Sequence, residues 1–495
     1  MKKIIALFCV LFLFGCHMNQ SAKDGVDKEQ TPAPALGGTL KIHSYNFDTL
    51  NPLFTKSKTN RQVLMLIYDF LIACDDNQIP HPILSSGFSV SDDALVWTVN
   101  INEKIRWHDG AYLTASDVAA TLNAVRNSQA DSAYKENLSN AKSIEAFADS
   151  VVITLKEPQT NFINLLEIPI VKAEDAPNKD IEKPIGTGCY IYIEKTHEIM
   201  YLTSNKTGRH LPYIENINVY LLPNKETSVF AFEAKEIDIA QTDMTGRGDF
   251  SGYAQSKAVE FNSGCYNFLA FNTENEHLSN LYIRKAIAHA ISKKQIFEEA
   301  LLSKGTLCNS FVHPEWQFYN EKVDEYEYNP ATASHILAEQ EVLPESIRFN
   351  ILVNEENKLR VKVAKIIAQQ LKTCGINAHV ELLSWGRFKE QITNGKFDMY
   401  LGEINFSNEL NPAYIVPQTE PFALLLQQLQ AQTTNEGRKD LYNTIQLEYS
   451  KLLPAIPLYF SVESILLNNK IKGNIRPLRN NIFNNIHEWY IETEN

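Results

Sequence analysis

Residues 265–294, CYNFLAFNTENEHLSNLYIRKAIAHAISKK, constrain the fold more than any other run in the chain. The first eight, Cys265 to Asn272, are rich in aromatic and compact apolar residues, the composition of a buried strand. Asn280 then offers a side-chain oxygen to the open N–H groups of a first helical turn. Ile283, Ala286, Ile287, Ala290 and Ile291 fall at i, i+3, i+4, i+7 and i+8, one apolar stripe, so this helix packs by a single face. Ser292 caps a second helix over 293–302. The alternation continues downstream. Pro330 opens a helix through Leu337 after Tyr328-Asn329. Residues 347–353 form a strand, 359–371 an amphipathic helix stopped near Gly375, and 376–383 another strand followed by Trp385-Gly386-Arg387-Phe388. A short strand over 396–402 enters a polar loop, 403–412, and a late helix covers 438–452 before an extended return over 454–459. Strands alternating with helices at this spacing predict α/β sheets.

A chain of 495 residues is too long for one core and predicts two or three domains. Asp and Glu number 59 against 46 Lys and Arg, a formal charge of −13 that becomes more acidic once Lys2 and Lys3 leave with a leader. Such a surface repels phosphate backbones, and nucleic acid is excluded as a partner. The leader is legible: Met1-Lys2-Lys3 is a positive start, and 4–14 is an unbroken apolar run too short to span a bilayer comfortably. It ends in Leu13-Phe14-Gly15-Cys16, which resembles a bacterial lipobox. The expectation is a signal peptide over 1–15 and a lipidated tether over 16–36, with Cys16 as the acylated residue; the alternative is a plain cleaved signal with an incidental cysteine. Each buried methylene of an acyl chain contributes about 0.8 kcal/mol, so two or three chains hold a soluble domain at a membrane. Residues 17–35 are too polar to fold and serve as the tether. Five cysteines remain beyond Cys16, an odd number without a C-x-x-C pair, and read as small buried thiols.

Chemistry-bearing motifs are sparse. There is no G-x-S-x-G, no H-E-x-x-H and no Walker lysine loop, so no enzyme is expected. The twelve histidines are scattered without an i,i+4 pair, so neither a metal site nor a cofactor is expected. His108 and Asp109 adjoin in a turn, where neighbours rarely meet as base and orienter, and they read as structural.

Several local patterns occur together. A strand, Val96-Trp97-Thr98-Val99-Asn100-Ile101, precedes Trp107-His108-Asp109-Gly110, and Thr114-Ala115-Ser116-Asp117-Val118 follows as a helix start capped by Thr114 or Ser116. Pro184-Ile185-Gly186-Thr187-Gly188-Cys189-Tyr190 is a turn leading into a strand. Phe232-Glu233-Ala234-Lys235-Glu236-Ile237-Asp238 is a helix end and a strand, with Lys235 where a glycine would make a sharper stop. With the Phe271-Asn272 strand end and the Arg284-Lys285-Ala286-Ile287 helix, this order resembles family 5 extracytoplasmic solute-binding proteins, the peptide and nickel class of bacterial ABC importers. The resemblance runs from about Gly38 to Trp489.

The resemblance implies an α/β, two-lobe periplasmic-binding-protein-like fold, type II, of the large class with an extra subdomain inserted in lobe one. Lobe one is expected over 37–262, with the insertion at about 56–170 and a C-terminal return over 461–495; lobe two is expected over 263–460. Chain crossings are expected near Asn272 and near Tyr459-Phe460. The implied function is that of an extracytoplasmic, lipid-anchored monomer that closes on a small solute, most readily an oligopeptide, and delivers it to ABC permease subunits. Alternatives are a non-peptide solute such as a nickel chelate, or a sensor docking to a membrane receptor. Ligand contacts are expected from Tyr45 and Asn46 after the first strand, from Tyr266, Asn267 and Trp385, and from the polar loop residues Glu403, Asn405, Ser407, Asn408 and Glu409. Tyr266 and Trp385 are either cleft walls or core aromatics. Peptide-binding relatives carry a Trp and, three residues on, an Asp that pairs with the peptide ammonium; Ile404 and Ser407 stand there. Either Glu403 or Glu409 takes over, or the ligand has no free amine. Cys265 is expected to be a free thiol, because the loop holding its partner in some relatives has no cysteine.

Overall fold

The structure, a computed structural model, describes residues 34–128, 132–242, 256–341, 343, 347–406 and 410–492. Cys16, the leader and most of the tether lie outside the described residues. Among the described residues no helix is long and apolar enough to cross a membrane.

The first sheet joins Thr39–Ser44, Asn216–Leu221, Ile199–Ser204 and Tyr190–Lys195 in that spatial order, with the first pair parallel and the others antiparallel. A separate four-stranded antiparallel sheet, Ser85–Val90, Val96–Ile101, Ser150–Leu155 and Ala141–Ala146, is covered by the helix Ala115–Asn127. That helix is capped by Thr114, whose hydroxyl accepts from the Asp117 N–H while the Asp117 carboxylate accepts from the Thr114 N–H. His108 and the glycine turn, far apart in sequence, form one joint. The His108 N–H donates to Gly186 O at 2.9 Å, and its Nε2 lies 3.0 Å from Gly188 O. A Cβ on Gly186 would come within 1.8 Å of Ile67 O, so only glycine lets the turn approach. Lys235 has φ +61°, so the left-handed helix stop forms without glycine, at a cost of about 1 kcal/mol.

A seven-stranded mixed sheet builds the other half, its main path running Ile239–Thr242, Ala455–Asn468, Ser256–Phe271, Met399–Asn405, Arg348–Asn354 and Asn377–Leu383. The helix Lys358–Thr373 packs on two of these strands by the stripe Val363, Ala364, Ile367 and Leu371. Two strands of this sheet are long enough to serve both halves. Ser256–Phe271 and Ala455–Asn468 pair antiparallel from Ser256↔Asn468 to Asn262↔Val462, lose register, and resume at Tyr266↔Phe460. The end of the ladder formed by 256–262 and 462–468 packs in one core, through Phe261, Ile465 and Leu467. The other end, with Tyr266, Phe268, Leu269, Ile456 and Phe460, belongs to two others. The chain therefore passes between cores at 262–266 and 460–462. Asn272, expected at the first crossing, instead ends the strand well inside the second half, donating to Phe397 O at 2.8 Å. The chain turns at Asn272, where the aromatic run stops, inside the second half, so that run marks the strand's end and not the crossing.

The bulge at the crossing is tightly specified. Gly264 has φ +72°, and its N–H donates to the Asn262 side chain at 2.8 Å. Ser263 Oγ donates to Ser461 O at 2.6 Å. A Cβ on Gly264 would lie 2.0 Å from Nη1 of Arg479, which reaches across from the C-terminal segment and donates to Phe406 O. Gly264→Ala should therefore cost about 2–4 kcal/mol, combining left-handed strain with overpacking. Urea unfolding followed by fluorescence checks this; a loss below about 0.5 kcal/mol would show that Arg479 simply moves aside.

Candidate ligand cleft

A cavity of about 1360 Å³ opens beside the crossing strands. Its floor is made by strand residues, including Cys265, Phe268, Ala270 and Tyr400, and its far rim by Ser461, Val462 and Glu463. One wall is the short helix Trp385–Thr393. Trp385, at its first turn, is 57% exposed and stacks on Phe388 at 5.9 Å; Phe388 meets Tyr400 edge-on at 6.2 Å. A large aromatic face held toward an open cavity is poised to cover an apolar or planar group.

The charged groups come from the turn before the helix Lys358–Thr373, from its first turn and from the strands. Arg360 lies in the first turn of Lys358–Thr373, a helix capped by Asn357. It falls on the same stripe as Val363, Ala364, Ile367 and Leu371, so the helix's own packing draws the guanidinium out of water. Its side chain is only 9% exposed, and its Nη2 faces Glu403 Oε2 at 3.3 Å, with Glu403 37% exposed. Nη1 reaches Asn354 Oδ1 at 3.4 Å, and Nε is buried without an acceptor. Both contacts are long for a charge so deeply placed. The other two carboxylates of the cavity are better satisfied. Glu356 accepts from Asn354 Nδ2 at 2.9 Å and from the Trp385 N–H at 3.1 Å. Glu463 accepts from Lys58 Nζ at 2.7 Å and from Gln241 Nε2 at 2.6 Å.

Of the expected contact residues, Trp385 and Glu403 line the cavity. Asn405 is exposed two residues beyond Glu403 on the same strand, outside the lining. Tyr45 and Asn46 lie off the lining as well. The Tyr45 N–H donates to Thr59 Oγ1 at 3.0 Å, beside the Lys58 that grips Glu463, and its hydroxyl is 3.0 Å from Ser228 Oγ. Ser407, Asn408 and Glu409 lie outside the described residues. Tyr266 and Asn267 are corrected. Tyr266 shares a strand face with Phe268 and Ala270, but Phe460 at 5.4 Å and Phe406 at 6.2 Å cover it completely. Asn267 is buried and donates to Ser461 Oγ at 2.9 Å, tying the crossing together and leaving no face for a ligand. Arg360, Phe388 and Glu463 were not anticipated. Arg360 had a readable signal, an arginine on the apolar stripe of an amphipathic helix; Glu463 had none, since only strand pairing brings it to the rim.

Cys265, Cys74, Cys189, Cys308 and Cys374 are all unpaired thiols. Burial, and then the Glu403 carboxylate, pushes the Cys265 thiol up to about 11. A raised value keeps the sulfur protonated near neutrality, and the nucleophilic thiolate gains only as pH climbs. Iodoacetamide at pH 8 should therefore label Cys265 far more slowly in the native protein than in urea, and the native rate should rise about tenfold per pH unit above 8. Equal native and unfolded rates by peptide mapping would contradict the burial described here.

A family model described as bacterial extracellular solute-binding proteins, family 5 Middle, matches residues 80–422. The oligopeptide-binding protein AppA of Bacillus subtilis is 24% identical over 426 residues, 80% of this chain and 78% of that protein. The glutathione-binding protein GsiB of Salmonella paratyphi A is 24% identical over 377 residues, 72% of this chain and 71% of its own. Among solved structures, the ABC transporter substrate-binding protein CtaP of Listeria monocytogenes superposes with a TM-score of 0.80 at 18% identity, over 92% of this chain and 100% of that one, which shows a shared two-lobe fold.

Proposed function

The chain belongs to family 5 of the bacterial extracellular solute-binding proteins, and from that premise we propose that it captures a short peptide for an ABC importer. The observation that carries the peptide reading is the cavity: about 1360 Å³, with an aromatic wall and a solvent-reachable carboxylate, Glu403, near its floor. Pockets for single small molecules run to about 1,000 Å³, and this one exceeds them. The named relatives bind an oligopeptide and glutathione, which supports the same class here. Glu403 takes the peptide ammonium, the role for which Ile404 and Ser407 leave no acid at the family's usual position. A buried ammonium without a carboxylate is strongly destabilised, so this pairing selects for a free amine.

Capture works by closure. Lobe one, 37–262 with its insertion and the return over 461–495, folds toward lobe two, 263–460, about the bulge at Gly264. Contacts from both lobes exist only in the closed form, so ligand shifts the population toward it. Tyr45, bonded to Thr59 next to the Lys58 that grips Glu463, and Asn46 then approach the ligand from lobe one. Cys16 carries the lipid that keeps the protein at a membrane on the extracytoplasmic side, in the periplasm or on the outer face of the cell membrane, within reach of the permease.

Calorimetry with short peptides, free and N-acetylated, tests the ligand class. The free forms should bind about tenfold tighter to wild type, and Glu403→Gln should remove that preference. Equal affinity for both forms, or no peptide binding, would move the weight to a non-peptide solute. Independently, Cys16→Ser should shift the protein from the membrane to the soluble fraction; a wild-type protein already soluble after gentle lysis would overturn the anchor.

A further inference from the structure

Arg360 and Glu403 face each other at 3.3 Å inside the cavity, and that closeness limits what ligand can use both. An ammonium seated on Glu403 necessarily approaches the guanidinium. At such short range in a partly desolvated wall, two cations repel strongly. The guanidinium has little to spare: its side chain is 9% exposed, its two contacts are long, and Nε has no acceptor. A ligand that weakens the hold of Glu403 on Arg360 must bring an anion of its own, to the same place as its ammonium.

We propose that this pair recognises an α-amino-acid head group, a free ammonium and a free carboxylate carried on one carbon. The geometry of such a head matches. Its nitrogen and carboxylate carbon are about 2.5 Å apart, so ammonium over Glu403 and carboxylate over Arg360 form a square of alternating charge. The two termini of an extended tripeptide are about 10 Å apart and cannot both reach one ion pair. An ordinary α-linked peptide brings only the ammonium, with a neutral amide on the adjoining carbon. A γ-linked peptide brings both charges, because its first residue is joined through the side chain. The proposal rests on the peptide-capture reading and narrows it to ligands with that end. The other two carboxylates of the cavity, Glu356 and Glu463, are each engaged by two donors, which leaves Glu403 as the acid with capacity to spare, beside an arginine whose own contacts are long.

The test uses two isomers of one composition, γ-Glu-Ala-Ala and α-Glu-Ala-Ala, titrated into the full mature protein and into Arg360→Met and Arg360→Lys. Wild type should bind the γ isomer about tenfold to a hundredfold tighter. Arg360→Met should abolish the difference while its thermal midpoint stays level or rises, since removing an under-paired buried charge relieves desolvation and Glu403 remains solvated. Arg360→Lys, which keeps the charge but loses the planar fork, should retain part of the preference and guards against a folding defect in the first variant. Equal binding of the isomers by wild type, or a γ preference that survives in Arg360→Met, overturns the head-group assignment and leaves peptide capture standing. A steep fall in the midpoint of both variants assigns Arg360 to the fold and also overturns it. Failure of both isomers and of the wider peptide set overturns the two readings together.

Discussion

The antiparallel pairing of Ser256–Phe271 with Ala455–Asn468 is the interaction on which the rest of the molecule depends. Each strand is buried in one core at one end and in different cores at the other, so the ladder is both a structural member and a joint. An unbroken ladder of that length would be stiff. The lost register between Asn262 and Tyr266 relieves it, because a bulge bends its strand and locally frees backbone groups. Those groups are immediately taken up again by Asn262, Ser263 and Ser461, so the bend has defined limits and is not a slack loop. Gly264 and Arg479 show how little room remains there: the left-handed backbone lets the guanidinium pass where any side chain would stand.

The cavity beside this joint illustrates a second constraint. The chain is acidic as a whole, yet the least satisfied charge in the cavity is a cation. Replacing a buried ion pair by apolar groups is often neutral or stabilising, so an arginine kept on an apolar stripe contributes little to folding. Its place on the cavity lining suits work in the cleft. The aromatic wall has the same character. Trp385 offers more surface to solvent than a core would allow, in a position where a ligand could cover it.

Much of the fold was legible in local patterns. The caps at Thr114, Asn280 and Ser292 operate as their side chains predict, and Pro330 opens its helix as expected. The His108 turn and the glycine turn were each recognisable, but that they are two halves of one joint was not, because 80 residues separate His108 from Gly188. The site was less legible. Trp385 and Glu403 line the cavity, whereas Tyr266 and Asn267 are buried; the helix that carries Trp385 was not anticipated, and Glu403, expected in a loop, lies on the strand Met399–Asn405. Residue parity on a strand says which face a side chain takes; it does not say whether that face is covered. Phe406 and Phe460, which roof Tyr266, come from 140 and more residues away, and nothing local to Tyr266 announces them.

The sequence by itself determined the α/β alternation, most of the helix starts and stops, and the acidic net charge. These follow from periodicity, capping and composition, which act over a few residues or over the whole chain. Only the tertiary structure decided where the chain crosses between cores, which polar groups face the cavity, and that Arg360 meets Glu403. Those outcomes depend on pairing and burial between segments far apart in the chain, as with Glu463, carried to the rim by a strand whose partner lies some two hundred residues earlier. The energy of such contacts resides in neither segment alone, so it cannot be read from either.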